Sequence, residues 1–220
     1  MSVSVPSETL QTFTLADLAP YATEGAFSAD DSPDSRLFLV GRDDVFGVLM
    51  HLYTRVTLSI ESTMFGFDSD ELNGVIWSKV EDPNVVVEQV LDSSQAGGVH
   101  EKKILAADAT SDPEKYAADF VIMRSDSGQI VHSKGAVLDG VVGYEGSTNW
   151  SASGMGQGIG LHGAANVTGF KAQENTLLVF TNRVMIAKLS ARIRYTAISG
   201  RARNAAKVAA LAATPALPGV

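Results

Sequence analysis

The chain has no cysteine among its 220 residues, which excludes disulfide bridges and thiolate metal sites and fits a reducing, cytoplasmic setting. Long apolar runs are missing too. No stretch reaches the roughly 18 residues that span a bilayer, and the start, MSVSVPSETLQTFTLADLAPYATEG, lacks the basic-then-apolar order of a secretion signal. The expectation is a protein with no membrane span. Aromatic residues make up 7% and charged residues 19%, against 45% hydrophobic, so the chain can fill one good core but hardly two. No His/Asp/Glu cluster has metal-ligand spacing, and the formal G-x-G-x-x-G at Gly158, Gly160 and Gly163 has no strand before it, so neither a metal nor a nucleotide cofactor is expected.

What charge there is lies unevenly. The formal net charge is −8, yet residues 1–35 hold acids only (Glu8, Asp17, Glu24, Asp30, Asp31, Asp34). Beyond Glu174 there is no acid, while Arg183, Lys188, Arg192, Arg194, Arg201, Arg203 and Lys207 make that part locally cationic. Two readings remain open: a solvated helical face, or a contact surface for phosphates.

Periodicity predicts an α/β chain. LFLVG (36–40) reads as a strand, DDVFGVLMHLYT as a helix with Val45, Leu49 and Leu52 on one face, and RVTLSIES (55–62) as a strand. SDELNGVIWSKV opens on a Ser69 cap, and NVVVEQVLD (84–92) returns as a strand. A helix near 99–107, strands near 118–124, 129–138, 141–146 and 176–180, and a helix over 183–193 continue the alternation around one sheet. This divides the chain into an acidic arm (1–35), an alternating α/β domain (36–193) and a basic, Ala-rich tail (194–220).

The stretch 132–149, HSKGAVLDGVVGYEGSTN, carries the chemistry. Side chains alternate along a strand, so His132 and Lys134 share a face while Asp139 has the opposite parity. Gly140, Gly143 and Gly146 allow a tight return strand that brings Ser147 and Asn149, again i and i+2, to the same edge. A cation, a hydroxyl and an amide converging there suit a phosphate group, and His132 is left as the group able to attack phosphorus near neutral pH.

The spacing H-x-K-x(4)-D-x(6)-G-S-x-N resembles the signature of the phospholipase D superfamily, which His132, Lys134, Asp139, Gly146, Ser147 and Asn149 match without a gap. RLFLVGRDDVFGVLMHLYTRVTLSIESTMFGFDSDELNGVIW resembles the family's opening β-α-β-α, and VVVEQVLDSSQA its strand leading to a D-x-S-Q turn. The likeness covers residues 36–193. It implies a single domain with a central mixed β-sheet flanked by helices, and a metal-independent phosphodiesterase working through a phosphohistidine at His132, with Lys134, Ser147 and Asn149 binding the phosphate. Glu174 is implied as the carboxylate that orients His132, although the Gly-rich insert SGMGQGIGLHGAANVTGF separates it from the motif. Asp139 and Gly146 are implied as structural members.

Small single-motif members of the family are usually nucleases, so nucleic acid is the first expected substrate. Phospholipid head groups, cleaved or transferred to an alcohol, and an inactive phosphate-binding relative are the alternatives. In-line attack places the leaving-group acid opposite the nucleophile, so one imidazole cannot serve as both. His100-Glu-Lys102 does not continue as a second motif, since Ala107 stands where an Asp is needed. The resemblance therefore implies a homodimer that pairs His132 with His132 of its mate.

Overall fold

The structure is a computed structural model and describes residues 13–94, 99–123 and 130–213. It is α/β, with a mixed sheet flanked by helices. In chain order the strands are β1 (Ser35–Leu39), β2 (Ser59–Met64), β3 (Val86–Asp92), β4 (Phe120–Met123), β5 (Lys134–Leu138), β6 (Val142–Gly146) and β7 (Thr176–Phe180). The helices are α1 (Val45–Thr54), α2 (Asp70–Glu81), α3 (Val99–Ser111), α4 (Pro113–Asp119), the short α5 (Ala152–Met155) and α6 (Arg183–Ala213). The sheet order is β1-β7-β6-β5-β2-β3-β4, with β2, β3 and β4 parallel and the other neighbours antiparallel.

Local chemistry starts these helices where the chain needs them. Asp44 accepts from the Gly47 amide at 2.8 Å to open α1, Ser69 from the Leu72 amide at 3.3 Å to open α2, and Asp112 from the Lys115 amide at 3.0 Å to open α4, with Pro113 at its first position. The periodic apolar face of α1, with Val45, Val48, Leu49 and Leu52, then packs on the β5–β6–β7 side of the sheet against Ala136, Leu138, Tyr144 and Val179. The other face carries α6, whose Ile186, Ile193 and Ala197 cover Val137, Phe180, Val90 and Val121. β5 is buried along its whole length, as a central strand between two helical layers must be.

Four expectations are corrected. The helix expected over 183–193 runs unbroken to Ala213, because the following Ala- and Arg-rich sequence has high helix propensity and its one glycine, Gly200, is where Val121 and Met123 of β4 press against the helix. The acidic arm is partly core: Leu15 and Leu18, on a 3-10 helix over Leu15–Tyr21, are buried in the main cluster. The strand expected from 55 begins at Ser59, since the Val56 amide still bonds Tyr53 and the Thr57 and Leu58 amides turn to Asp139. Before β4 lies α4, whose short Pro-led sequence gave no periodic signal, and β5 starts at Lys134, which leaves His132 just outside it. Residues 124 and 129, expected as ends of two strands, lie outside the described residues, as does the turn between them.

Candidate active site

One edge of the sheet gathers the carboxyl end of β2, the start of β5, the end of β6 and the start of β7. The register fixes this: Lys134 stands opposite Gly146, and Gly146 opposite Leu177. Past β2 the chain continues through Phe65 and Gly66 and pairs with the segment after β6, through Trp150 N–H to Gly66 O at 2.9 Å and Asp68 N–H to Trp150 O at 2.8 Å. Trp150 anchors that pairing from inside the core, fully buried against Tyr53 and Phe67.

His132 is exposed and Lys134, two residues on, is buried. Phe65 lies against both, its ring centroid 4.6 Å from that of His132 and 4.7 Å from the Lys134 ammonium. The ammonium also donates to the His132 carbonyl at 2.6 Å, but has no carboxylate partner among the described residues, and burial lowers its pKa to about 8. A cation held at such a place stays open to an anion arriving from solvent. The His132 ring itself makes no hydrogen bond among the described residues.

Ser147 and Asn149 are fixed by the backbone in complementary ways. The Ser147 oxygen accepts from the Thr176 amide at 3.0 Å, which leaves its O–H to donate elsewhere. The Asn149 side-chain oxygen Oδ1 accepts from the Gly66 amide at 3.2 Å, and its NH2 has two donors without a partner among the described residues. Gly146 is required by the closeness of β7, because a β-carbon there would overlap the Thr176 carbonyl and push the two strands apart.

Asp139 sits at the other end of β5, as its parity and distance along the strand require. At φ 52° it turns its carboxylate onto the Thr57, Leu58 and Ser59 amides at 3.0, 2.8 and 2.9 Å, fixing the entry into β2. Glu174 is not brought to His132: it is exposed ahead of β7 and makes no hydrogen bond or ion pair among the described residues. Its neighbour Asn175 is the buried one, donating to the Gly154 carbonyl at 2.9 Å. Among the other histidines, His51 is buried beside Tyr21 and Arg55, His100 pairs with Asp70 at 3.2 Å, and His162 lies exposed in the Gly-rich loop at φ 54°. Among the described residues no group of three His, Asp or Glu could hold a metal ion.

Sequence reasoning missed three residues here. Phe65 had only the weak signal of an aromatic at a strand's end. Asp92, fully buried at the end of β3, accepts from the Val131 amide at 2.7 Å and so ties down the residue preceding His132; its signal was the D-x-S-Q turn, of which Gln95 lies outside the described residues. Glu101, set aside with His100 as the start of an amphipathic helix, is 4% exposed, accepts from the Phe67 amide at 3.2 Å, and has its pKa raised to about 7 by burial.

The sheet order, the two helical layers and this edge define a phospholipase D-like fold. Nuc of Salmonella typhimurium, whose structure is described as that of a phospholipase D family member, matches with a TM-score of 0.55 at 13% identity, over 74% of this chain and 93% of that one. NucT from Helicobacter pylori matches at 0.55 and 15% identity over 76% and 96%, and a phosphatidylserine synthase from Haemophilus influenzae at 0.54 and 15% over 81% and 39%. No family model and no curated protein matches the sequence. At these identities the likeness is one of fold.

Proposed function

We propose that this protein is a phosphodiesterase that cleaves nucleic acid through a phosphohistidine at His132. The observation that carries the reading is the pairing of an exposed imidazole with a buried, carboxylate-free ammonium on the Phe65 platform, at the edge where the Ser147 hydroxyl and the Asn149 amide have donors to spare. A phosphodiester bound there has its non-bridging oxygens on Lys134, Ser147 and Asn149. An imidazole nitrogen of His132 attacks phosphorus, the bond to the leaving oxygen breaks, and that oxygen takes a proton from a second imidazole on the far side. Water then attacks phosphorus, gives its proton to the second imidazole, and releases His132.

The second imidazole is His132 of another copy. Of the three other histidines in the chain, two are held by Tyr21, Arg55 and Asp70, and His162 makes no ring contact or hydrogen bond among the described residues. Glu174, proposed from the resemblance to orient His132, has its role only if dimerisation or substrate brings the two together. Nucleic acid is favoured over phospholipid by the outer face of α6, where Lys188 and Arg192 are exposed and no acid lies nearby in sequence.

The test is a panel of single- and double-stranded DNA and RNA, bis(p-nitrophenyl) phosphate and phosphatidylcholine vesicles, each with and without excess EDTA. Nucleic-acid cleavage that survives EDTA and vanishes in His132→Ala is expected. Loss with EDTA and recovery with magnesium would overturn the histidine mechanism, and choline release without nucleic-acid cleavage would make the protein a phospholipase.

A further inference from the structure

Beside Asn149 lies a cavity of about 270 Å3. Asn149, Asp68, His100, Glu101, Ser153 and Gln173 are among its walls, and neither lysine nor arginine is. A second phosphate therefore has no place there. The walls are rich in acceptors: among the described residues the exposed Asp68 carboxylate makes no side-chain hydrogen bond, and Glu101, 4% exposed, uses Oε2 on the Phe67 amide while Oε1 has no partner there. A buried acceptor left open is costly unless something arrives to fill it. The terminal torsion of a Glu side chain is soft, so a small turn brings Oε1 to an incoming donor.

We propose that this cavity is a base subsite, and that Glu101 and Asp68 select a nucleotide whose base carries its exocyclic amino group at pyrimidine position 4 or purine position 6, cytosine or adenine, next to the scissile phosphate. The inference rests on the nuclease reading given above. An amino group on a ring supplies the N–H donors that two carboxyl groups lack, as carboxylates accept from the cytosine amino group in nucleic-acid recognition. The ring's own acceptors then meet the hydroxyl and amide donors of Ser153, Gln173 and Asn149. Thymine and uracil present a carbonyl at the same place and set oxygen against oxygen when Glu101 is ionised, above about pH 7, where the comparison of bases is made. An ammonium head group fits less well, because it has no acceptor for those donors; a quaternary one would want the face of a Trp, Tyr or Phe, and Phe67, the one such residue among the described walls, is buried at 1% exposure.

The experiment compares kcat/KM on single-stranded oligonucleotides that differ only in the base flanking one cleavable phosphate, together with equilibrium binding of dCMP, dAMP and dTMP. Wild type should favour C and A over T by about tenfold or more, and bind dCMP and dAMP more tightly than dTMP. Asp68→Ala, on an exposed side chain, and Glu101→Leu should each cut that preference several-fold, while Glu101→Gln, which keeps a carbonyl acceptor, should retain part of it. Hydrolysis of bis(p-nitrophenyl) phosphate, which has no base, should stay unchanged in all three. Should Glu101→Leu fail to fold, Asp68→Ala and Glu101→Gln still decide. Equal rates on all bases, or a preference the variants leave intact, would overturn the subsite while leaving the nuclease reading in place. Absence of any nucleic-acid cleavage, with head-group release that depends on Glu101, would overturn both.

Discussion

Lys134 is the residue at which stability and function oppose each other. Its pKa is lowered to about 8, against 10.5 for a free lysine, because burial disfavours the charged form. That difference corresponds to about 3 kcal/mol of folding free energy given up at neutral pH. The sign follows from proton counts. Between about pH 8 and 10.5 the unfolded chain binds more protons at this site than the folded one, so the folded state recovers stability as pH rises through that window, and the full penalty applies below it. Lys134→Met should therefore fold more stably than wild type below pH 8, by up to about 3 kcal/mol in urea unfolding, with the gap closing towards pH 10.5. The same variant should lose about a thousandfold in kcat/KM, because the charge on phosphate is no longer met. In wild type, KM for phosphodiesters should climb as pH passes about 8.

Asp139 belongs to the same six-position signature and does a different job. Its carboxylate holds three successive amides at the entry to β2, about as far from His132 as β5 allows. Asp139→Ala leaves those amides without their charged acceptor and should cost about 2 to 3 kcal/mol in denaturant unfolding. At low temperature, where the variant is still folded, KM should match wild type. A raised KM in fully folded protein would mean that Asp139 touches substrate.

Among the elements, α6 holds most of the cationic C-terminal sequence, and the structure separates its bases into two kinds. Arg194 is engaged by Glu61 of β2 and Arg201 by Glu88 of β3, so these two fasten the helix to the sheet. Lys188 and Arg192 are exposed, and their side chains have no partner among the described residues. Nucleic-acid binding through this face predicts that Lys188→Gln with Arg192→Gln reduces the slope of log K against log salt by up to about 2, without changing unfolding midpoints. Arg194→Gln should instead lower stability, since it leaves the buried Glu61 carboxylate with Ser190 alone. A salt slope identical in the double variant would return α6 to the role of a solvated cover.

For the whole molecule, the question is whether one chain makes a complete site. If each site takes one His132 from each of two chains, a mixed dimer of wild type and His132→Ala lacks either the nucleophile or the opposite acid. Equal co-expression with random pairing should then leave about a quarter of the activity per total chain, whereas independent sites would leave about half. Size-exclusion chromatography on the same sample checks that dimers form. A retained half would send the search for the second imidazole to His162 or His100.

The motif stands out in the sequence because its members are local: His132 and Lys134 lie two residues apart, and both meet Phe65 although only Lys134 is in β5, so strand alternation was not what placed them together. The alternation of strands and helices was legible for the same reason, since burial of one face writes a period into the chain. Tertiary structure alone decided what lies between distant segments. Phe65 meets His132, Asp92 holds Val131 and Glu101 reaches Phe67 only because parallel strands β2 and β3 end side by side, and no spacing along the chain encodes that. It also decided protonation: a lysine's pKa depends on how completely it is covered and on the absence of a carboxylate nearby, both of which are properties of the packed molecule and not of the residues HSK read in a row.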